Sequence, residues 1–192
     1  MKIDIVVYDG LDELDAVGPL EVLRGMEGTF DVRLVTRTAQ PEVAGQHRMR
    51  LAVDAAYEPG RAELLIVPGG GWVKRTPAGA WGEIQRGDWL PLLAEAAHGA
   101  MMASVCTGAM LLAHAGITRG RRATTHHSAW ADLAQTGALL VKERVVDDGN
   151  LITAGGVTSG IDLALWLIER FVSRDEADRA AERLEYVRYR PY

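Results

Sequence analysis

The chain has 192 residues with a formal charge of −5, from 21 Lys and Arg against 26 Asp and Glu. Its 48% hydrophobic and 24% charged residues fit one globular domain, residues 1–192, with a sizeable core. The acidic balance argues against nucleic acid, whose binders gather Lys and Arg to meet phosphates, and no apolar run reaches the roughly 18 residues of a membrane span.

A single cysteine, Cys106, excludes an internal disulfide and a Cys-rich zinc site and fits a reducing cytosol. The N-terminal apolar run, Ile3 to Tyr8, contains Asp4 and is too short for a signal peptide. Low-complexity segments and long-period repeats are also missing. The expectation is a cytoplasmic single-domain protein.

In chain order, residues 2–8 (KIDIVVY) read as a first strand, and residues 15–26 as a helix with Pro19 in its first turn and Gly25 and Gly28 at its exit. Residues 30–37 alternate as a second strand, 43–53 suggest an edge hairpin around Gly45, and 63–67 (ELLIV) form a buried strand stopped by Pro68 and three glycines. A short helix spans 89–97, a buried strand 101–105, and a helix Thr107–Ala115. Residues 121–126 add a short strand, Ser128 caps a helix to Gln135, and 139–146 with 151–154 form a hairpin around Asp148 and Gly149. The last helices run from about Thr158 to Val172 and from Arg174 to Val187. Strands alternating with helices predict an α/β sandwich on a mainly parallel sheet.

Cys106 falls where a buried strand turns into a helix. There the first amides are unpaired and the helix dipole is positive, and both favour a thiolate. Ligands of such folds collect at the carboxyl ends of strands. Asp12, Glu13 and Asp15 all open the first helix at that same edge, and any of them could exchange a proton with the thiol or simply cap the helix. Gly69, Gly70 and Gly71 expose backbone amides suited to a developing anion, but match neither a dinucleotide nor a phosphate-loop fingerprint. AGGVTSG at 154–160 has Thr158 where a serine elbow would place its nucleophile, and reads as the start of a helix packed close to the sheet. His126 and His127, adjacent in an extended segment, should point to opposite faces and have no partner at metal-ligand spacing, so His126 is placed near the thiol and His127 outside. Trp72, after the glycines, offers an aromatic wall. The Arg-rich and Glu-rich C-terminal helix reads as a solvated, salt-bridged face.

The elbow SVCTGAMLLAHAG, the following GRRATTHH, ERVVDDGNLITAGGVTSGIDLAL, the PGGG turn and the early LDAVGPLEVL together resemble the DJ-1/PfpI superfamily of class I glutamine-amidotransferase-like domains. Within it the chain is most similar to isocyanide hydratases and to the amidase-like domains of AraC-type regulators, over roughly residues 3–187. The resemblance implies a flavodoxin-like three-layer sandwich, a homodimer, and a nucleophile elbow without metal or organic cofactor. By motif position it assigns Cys106 as nucleophile, Asp15 as its acidic partner, and Gly70 and Thr107 as anion-binding amides; Trp72 and His126, by their places in the sequence, are the expected substrate contacts. Thr107 stands where peptidase and glutaminase branches place a histidine, which turns the expectation from those activities toward isocyanide hydration of a small molecule. His127 stands where the hydratases carry an aromatic residue. The alternatives are a ligand-sensing or redox-sensing domain and another thiol chemistry such as glyoxal hydration. Dimerisation would draw on the EYVRYRPY tail.

Overall fold

A computed structural model describes residues 1–189. Seven short runs, β1 (Lys2–Val6), β2 (Asp31–Thr36), β5 (Ala55–Ala56), β6 (Leu64–Val67), β7 (Met101–Val105), β10 (Val145–Asp147) and β11 (Leu151–Ala154), make one sheet in the order β10-β11-β7-β6-β1-β2-β5. Every pairing is parallel except the hairpin β10–β11. Strands β1, β6, β7 and β11 are buried on both faces almost throughout, which is why they read as continuous apolar runs. Asp4, the one acid inside β1, is fully buried and meets Arg33 (3.2 Å) and Arg61 (2.5 Å). Arg33 lies directly opposite Asp4 in the register of β1 with β2.

On one face α1 (Glu13–Arg24) packs on α6 (Ser159–Phe171), and α6 on α7 (Arg174–Arg183). On the other, α2 (Gly79–Arg86) and α3 (Trp89–Ala96) pack on α4 (Gly108–His114), which also meets α5 (Trp130–Gln135). The result is a three-layer α/β sandwich. Among the described residues no helix is long and apolar enough to cross a membrane.

Several boundaries depart from the sequence reading, each for a local reason. Helix α1 starts earlier because the Asp12 side chain caps it through the Leu14 N–H at 3.2 Å. Pro19 consequently lies inside the helix, beyond the first turn where its missing N–H would cost nothing. Helix α2 went unread because its sequence, GAWGEIQR, holds two glycines and no side-chain cap. The expected hairpin at 43–53 forms as β3 (Glu42–Ala44) with β4 (Arg50–Ala52), but as a separate two-stranded sheet, not on the edge of the main one. The strand expected at 121–126 shrinks to β8 (Arg122–Ala123), and β9 (Leu139–Leu140) pairs with it in parallel. The second expected hairpin is thus only β10 with β11. Before α5 the chain makes a 3₁₀ turn capped by His126 Nδ1 on the Ser128 N–H, so Ser128 is not the cap. Helix α7 ends at Arg183, short of Val187, and the end of the tail, Arg190 to Tyr192, lies outside the described residues.

Candidate active site

The loops after β1, β6, β7 and β11 meet at the carboxyl edge of the sheet, around a cavity of about 710 Å³. Cys106 is the first residue after β7 and holds a left-handed backbone, φ +55°, uncommon for a side chain with a Cβ. Two carbonyls fix that turn from β11 and its loop: the Cys106 N–H donates to Ala154 O (3.1 Å) and Gly155 O (2.8 Å). The helix can leave so sharply because residue 108 is glycine, where a Cβ would stand 1.9 Å from Val67 O.

The backbone N–H groups of Thr107 and Val157 point at the sulfur and favour its anion, but burial, and then the charge of Asp15, outweigh them and push the thiol well above its ordinary range. Cys106 is only 6% exposed. Burial thus works against the thiolate that a helix N-terminus favours. Helix α4 has just seven residues, and desolvation dominates its dipole.

Of the three candidate acids, Asp15 is the one set against the thiol. It is fully buried, Oδ2 accepts the Gly69 N–H at 3.0 Å, and Oδ1 has no partner in hydrogen-bonding geometry. Burial first, and then the neighbouring Asp12 charge, raise its pKa well above the carboxylate range, against the smaller lowering effects of the Gly69 amide and the Cys106 thiol. Burial thus disfavours the charged form of each group. Glu13 is occupied elsewhere: Oε1 accepts the His47 (2.7 Å) and Met49 (3.3 Å) amides, and Oε2 meets His47 Nδ1 at 2.8 Å. Asp12, Glu13 and His47 bring donor atoms within 4.8 Å of one another, and the hydrogen bonds of this network already occupy them.

The PGGG turn holds this arrangement together. Tyr8 donates its hydroxyl to Pro68 O, Gly69 serves Asp15, and the Gly70 N–H donates to Thr107 Oγ1 at 3.0 Å. The Gly70 amide is therefore committed within the protein, to a Thr107 that itself lines the cavity. Trp72 lines the cavity with its indole N–H on Asp132 (2.7 Å) and its ring edge-on to Trp81 at 5.3 Å between centroids. His126 also lines it, with Nδ1 on Ser128 Oγ at 2.7 Å. Burial and His127 depress the His126 pKa. The two histidine rings do not point to opposite faces: they stack with centroids 4.2 Å apart, because the chain turns at His126 and does not stay extended.

Three wall elements were not singled out from sequence. Val157, at φ +26°, places its amide on the sulfur, and Gln46 and His47 hang over the cavity from the β3–β4 turn. The expected hairpin at 43–53, whose turn carries the last two, was their one sign in the sequence.

A search of protein families matches the chain over residues 1–170 to the DJ-1/PfpI family. The chain belongs to the DJ-1/PfpI family. It is 35% identical over 195 residues to an isonitrile hydratase of Pseudomonas putida, covering all of this chain and 81% of that protein. It is also 29% identical over 166 residues to a deglycase of Thermococcus kodakarensis, covering 80% of this chain and 89% of that one. Among solved structures, a ThiJ/PfpI family protein from Pseudomonas syringae superposes with a TM-score of 0.87 at 28% identity, covering 100% of this chain and 77% of that one. This family setting and the lone buried cysteine are consistent with thiol-dependent chemistry.

Proposed function

We propose that the protein hydrates an isocyanide, R–N≡C, to the N-substituted formamide, with Cys106 as nucleophile and Asp15 as acid and base. The observation that carries this reading is the fully buried Asp15 carboxyl set beside the Cys106 sulfur, where burial favours its protonated form. An isocyanide carbon accepts both a proton and a nucleophile on the same atom, so it suits a site that offers both together. The Asp15 carboxyl gives its proton to that carbon, the sulfur lone pair forms the C–S bond, and the thiol proton passes to Asp15. The product of this step is a thioimidate, R–N=CH–S. Asp15 then delivers its proton to nitrogen and takes one from the attacking water, and the resulting tetrahedral adduct collapses to R–NH–CHO as the sulfur leaves and regains a proton. Thr107 and Val157 amides favour the sulfur anion as it departs, while Trp72 and His126 border the substituent. The 35% identity to an isonitrile hydratase supports the same choice of reaction.

Redox sensing is the weaker reading, since so deeply buried a thiol is poorly exposed to oxidants. The deciding experiment offers neutral alkyl isocyanides, methylglyoxal and glutamine to the wild type and to Cys106→Ala. Formamide produced by the wild type alone is the expected outcome. Turnover of methylglyoxal with no isocyanide consumed would overturn it.

A further inference from the structure

One charged side chain at the reacting centre has no part in these steps. Asp12 is 8% exposed, lines the same cavity as Cys106, and stands one helical turn before Asp15, whose N–H donates to Asp12 O at 3.1 Å. Both of its carboxylate oxygens are fixed, Oδ1 by the Leu14 N–H at 3.2 Å and Oδ2 by the Gln46 amide at 2.6 Å. The second bond comes from the β3–β4 hairpin, which the backbone ties to the loop before α1 through Gly10 N–H on Ala44 O (2.7 Å) and Gln46 N–H on Leu11 O (2.9 Å). A helix cap needs only the first bond. The second holds a charge still on the cavity wall.

The charged and titratable groups around Asp12 are few. Asp15 lies on its own helix, Cys106 on the elbow, His47 on the hairpin and engaged by Glu13, and His126 on the α5 side. Asp9, a second carboxylate of the wall, accepts the Ala44 N–H at 2.9 Å. Lys74 is the only Lys or Arg among the described residues lining the cavity. Of the two wall carboxylates, Asp12 is the one whose charge reaches both Cys106 and Asp15.

We propose that Asp12 acts electrostatically in this reaction: its fixed carboxylate stabilises the positive charge that grows on the isocyanide as its carbon takes a proton, and it turns away anionic substituents. The inference rests on the isocyanide reading above. Protonation at carbon makes the R–N≡C–H unit cationic until the sulfur lone pair closes on it, and a carboxylate held nearby in a poorly solvated cavity lowers that barrier without having to reorganise. The same field resists ionisation of Asp15 and keeps the acid loaded. It would oppose the negative oxygen that develops when a carbonyl is attacked. The substrate class that follows is neutral or cationic isocyanides, with isocyano-carboxylates excluded.

The test compares wild type with Asp12→Asn, which retains an oxygen for the Leu14 N–H while Gln46 can turn its amide to meet the new NH₂. The wild type should prefer methyl isocyanoacetate over isocyanoacetate in kcat/KM by about tenfold or more, and Asp12→Asn should lose most of that preference. The variant should also lower kcat on the neutral ester by about tenfold with little change in KM, and move the alkaline limb of its pH profile to lower pH. An unchanged preference and an unchanged limb in a folded variant would overturn the proposal. Gln46→Ala, which leaves the cap intact, should move the same quantities in the same direction if Asp12→Asn does not fold. Alkylation of Cys106 gives a readout independent of turnover: the ratio of iodoacetamide to iodoacetate rates should be high in the wild type and fall in Asp12→Asn. If that ratio falls while no isocyanide is consumed, the charge assignment stands and the isocyanide reading fails. If isocyanides are consumed and the ratio does not change, the reverse holds.

Discussion

At the scale of single residues, Cys106 and Asp15 share one environment that makes both hard to ionise, so exchanging either should separate chemistry from folding. Cys106→Ser conserves volume but supplies a far weaker nucleophile, and formamide production should fall by about a thousandfold or more while the melting temperature stays within a few degrees. An unfolded Cys106→Ser protein would instead make the thiol a packing element. Asp15 carries a stability signature of its own. Its folded pKa lies above its unfolded value, so the native state binds the extra proton. Its contribution is complete below about pH 4 and is lost as pH rises toward the folded value, at up to about 1.4 kcal/mol per pH unit. Asp15→Asn removes that dependence, and its melting temperature relative to wild type should rise as pH increases above about 4. Equal pH dependence in the two proteins would show that Asp15 ionises freely when folded. Cys106 and Asp15 could be named from the strand-to-helix turn and the LDAVGP motif. The acid could not be picked from Asp12, Glu13 and Asp15 by residue type, because all three lie in one turn and only the PGGG and hairpin amides sort them.

At the scale of elements, the elbow and the β3–β4 hairpin do different work. The elbow is rigid because backbone meets backbone at Gly108, where an added methyl would drive into the Val67 carbonyl. Gly108→Ala should therefore lower the melting temperature by about 5 °C or more, a large effect for so small a change. Beyond its two backbone ties to Gly10 and Leu11, the hairpin is held by side chains, chiefly through Glu13 and its bonds to the His47 ring and to the His47 and Met49 amides. Glu13→Gln should speed hydrogen exchange at those two amides while leaving the strands of the main sheet unchanged. The His47 pKa is raised, first by its hydrogen bond to Glu13 and then by that carboxylate's charge, so the ion pair is complete at low pH and is lost as pH rises through the folded value. Exchange at the hairpin, corrected for its intrinsic pH dependence, should accelerate as pH rises through that value in the wild type. The buried strands were legible because apolar, β-branched runs stop at glycines and prolines. The short pieces at 122–123 and 139–140 were not, since two residues carry no period and their pairing is chosen by tertiary contacts.

At the scale of the whole molecule, the resemblance to the family implies a homodimer, and light scattering should give about twice the 20.9 kDa mass of the chain. Scattering at the chain mass over the full concentration range, with undiminished turnover, would reject assembly and leave the thiol chemistry untouched. The layered architecture was readable from the alternation of strand and helix patterns, whereas the strand order in space was not, because adjacent strands such as β7 and β11 lie nearly fifty residues apart in sequence. That separation governs how the protein comes into being. The Cys106 N–H is held by carbonyls of Ala154 and Gly155, and its sulfur faces the Val157 amide. A chain leaving the ribosome thus displays the cysteine long before the residues that will enclose it have been made. Until β11 docks beside β7 those groups are not in place around the sulfur, and it should react more nearly as an exposed thiol does. Synthesis therefore opens an interval of vulnerability that closes with a single late strand, and the rate at which a nascent or refolding chain loses its reactivity toward a thiol reagent clocks the arrival of β11.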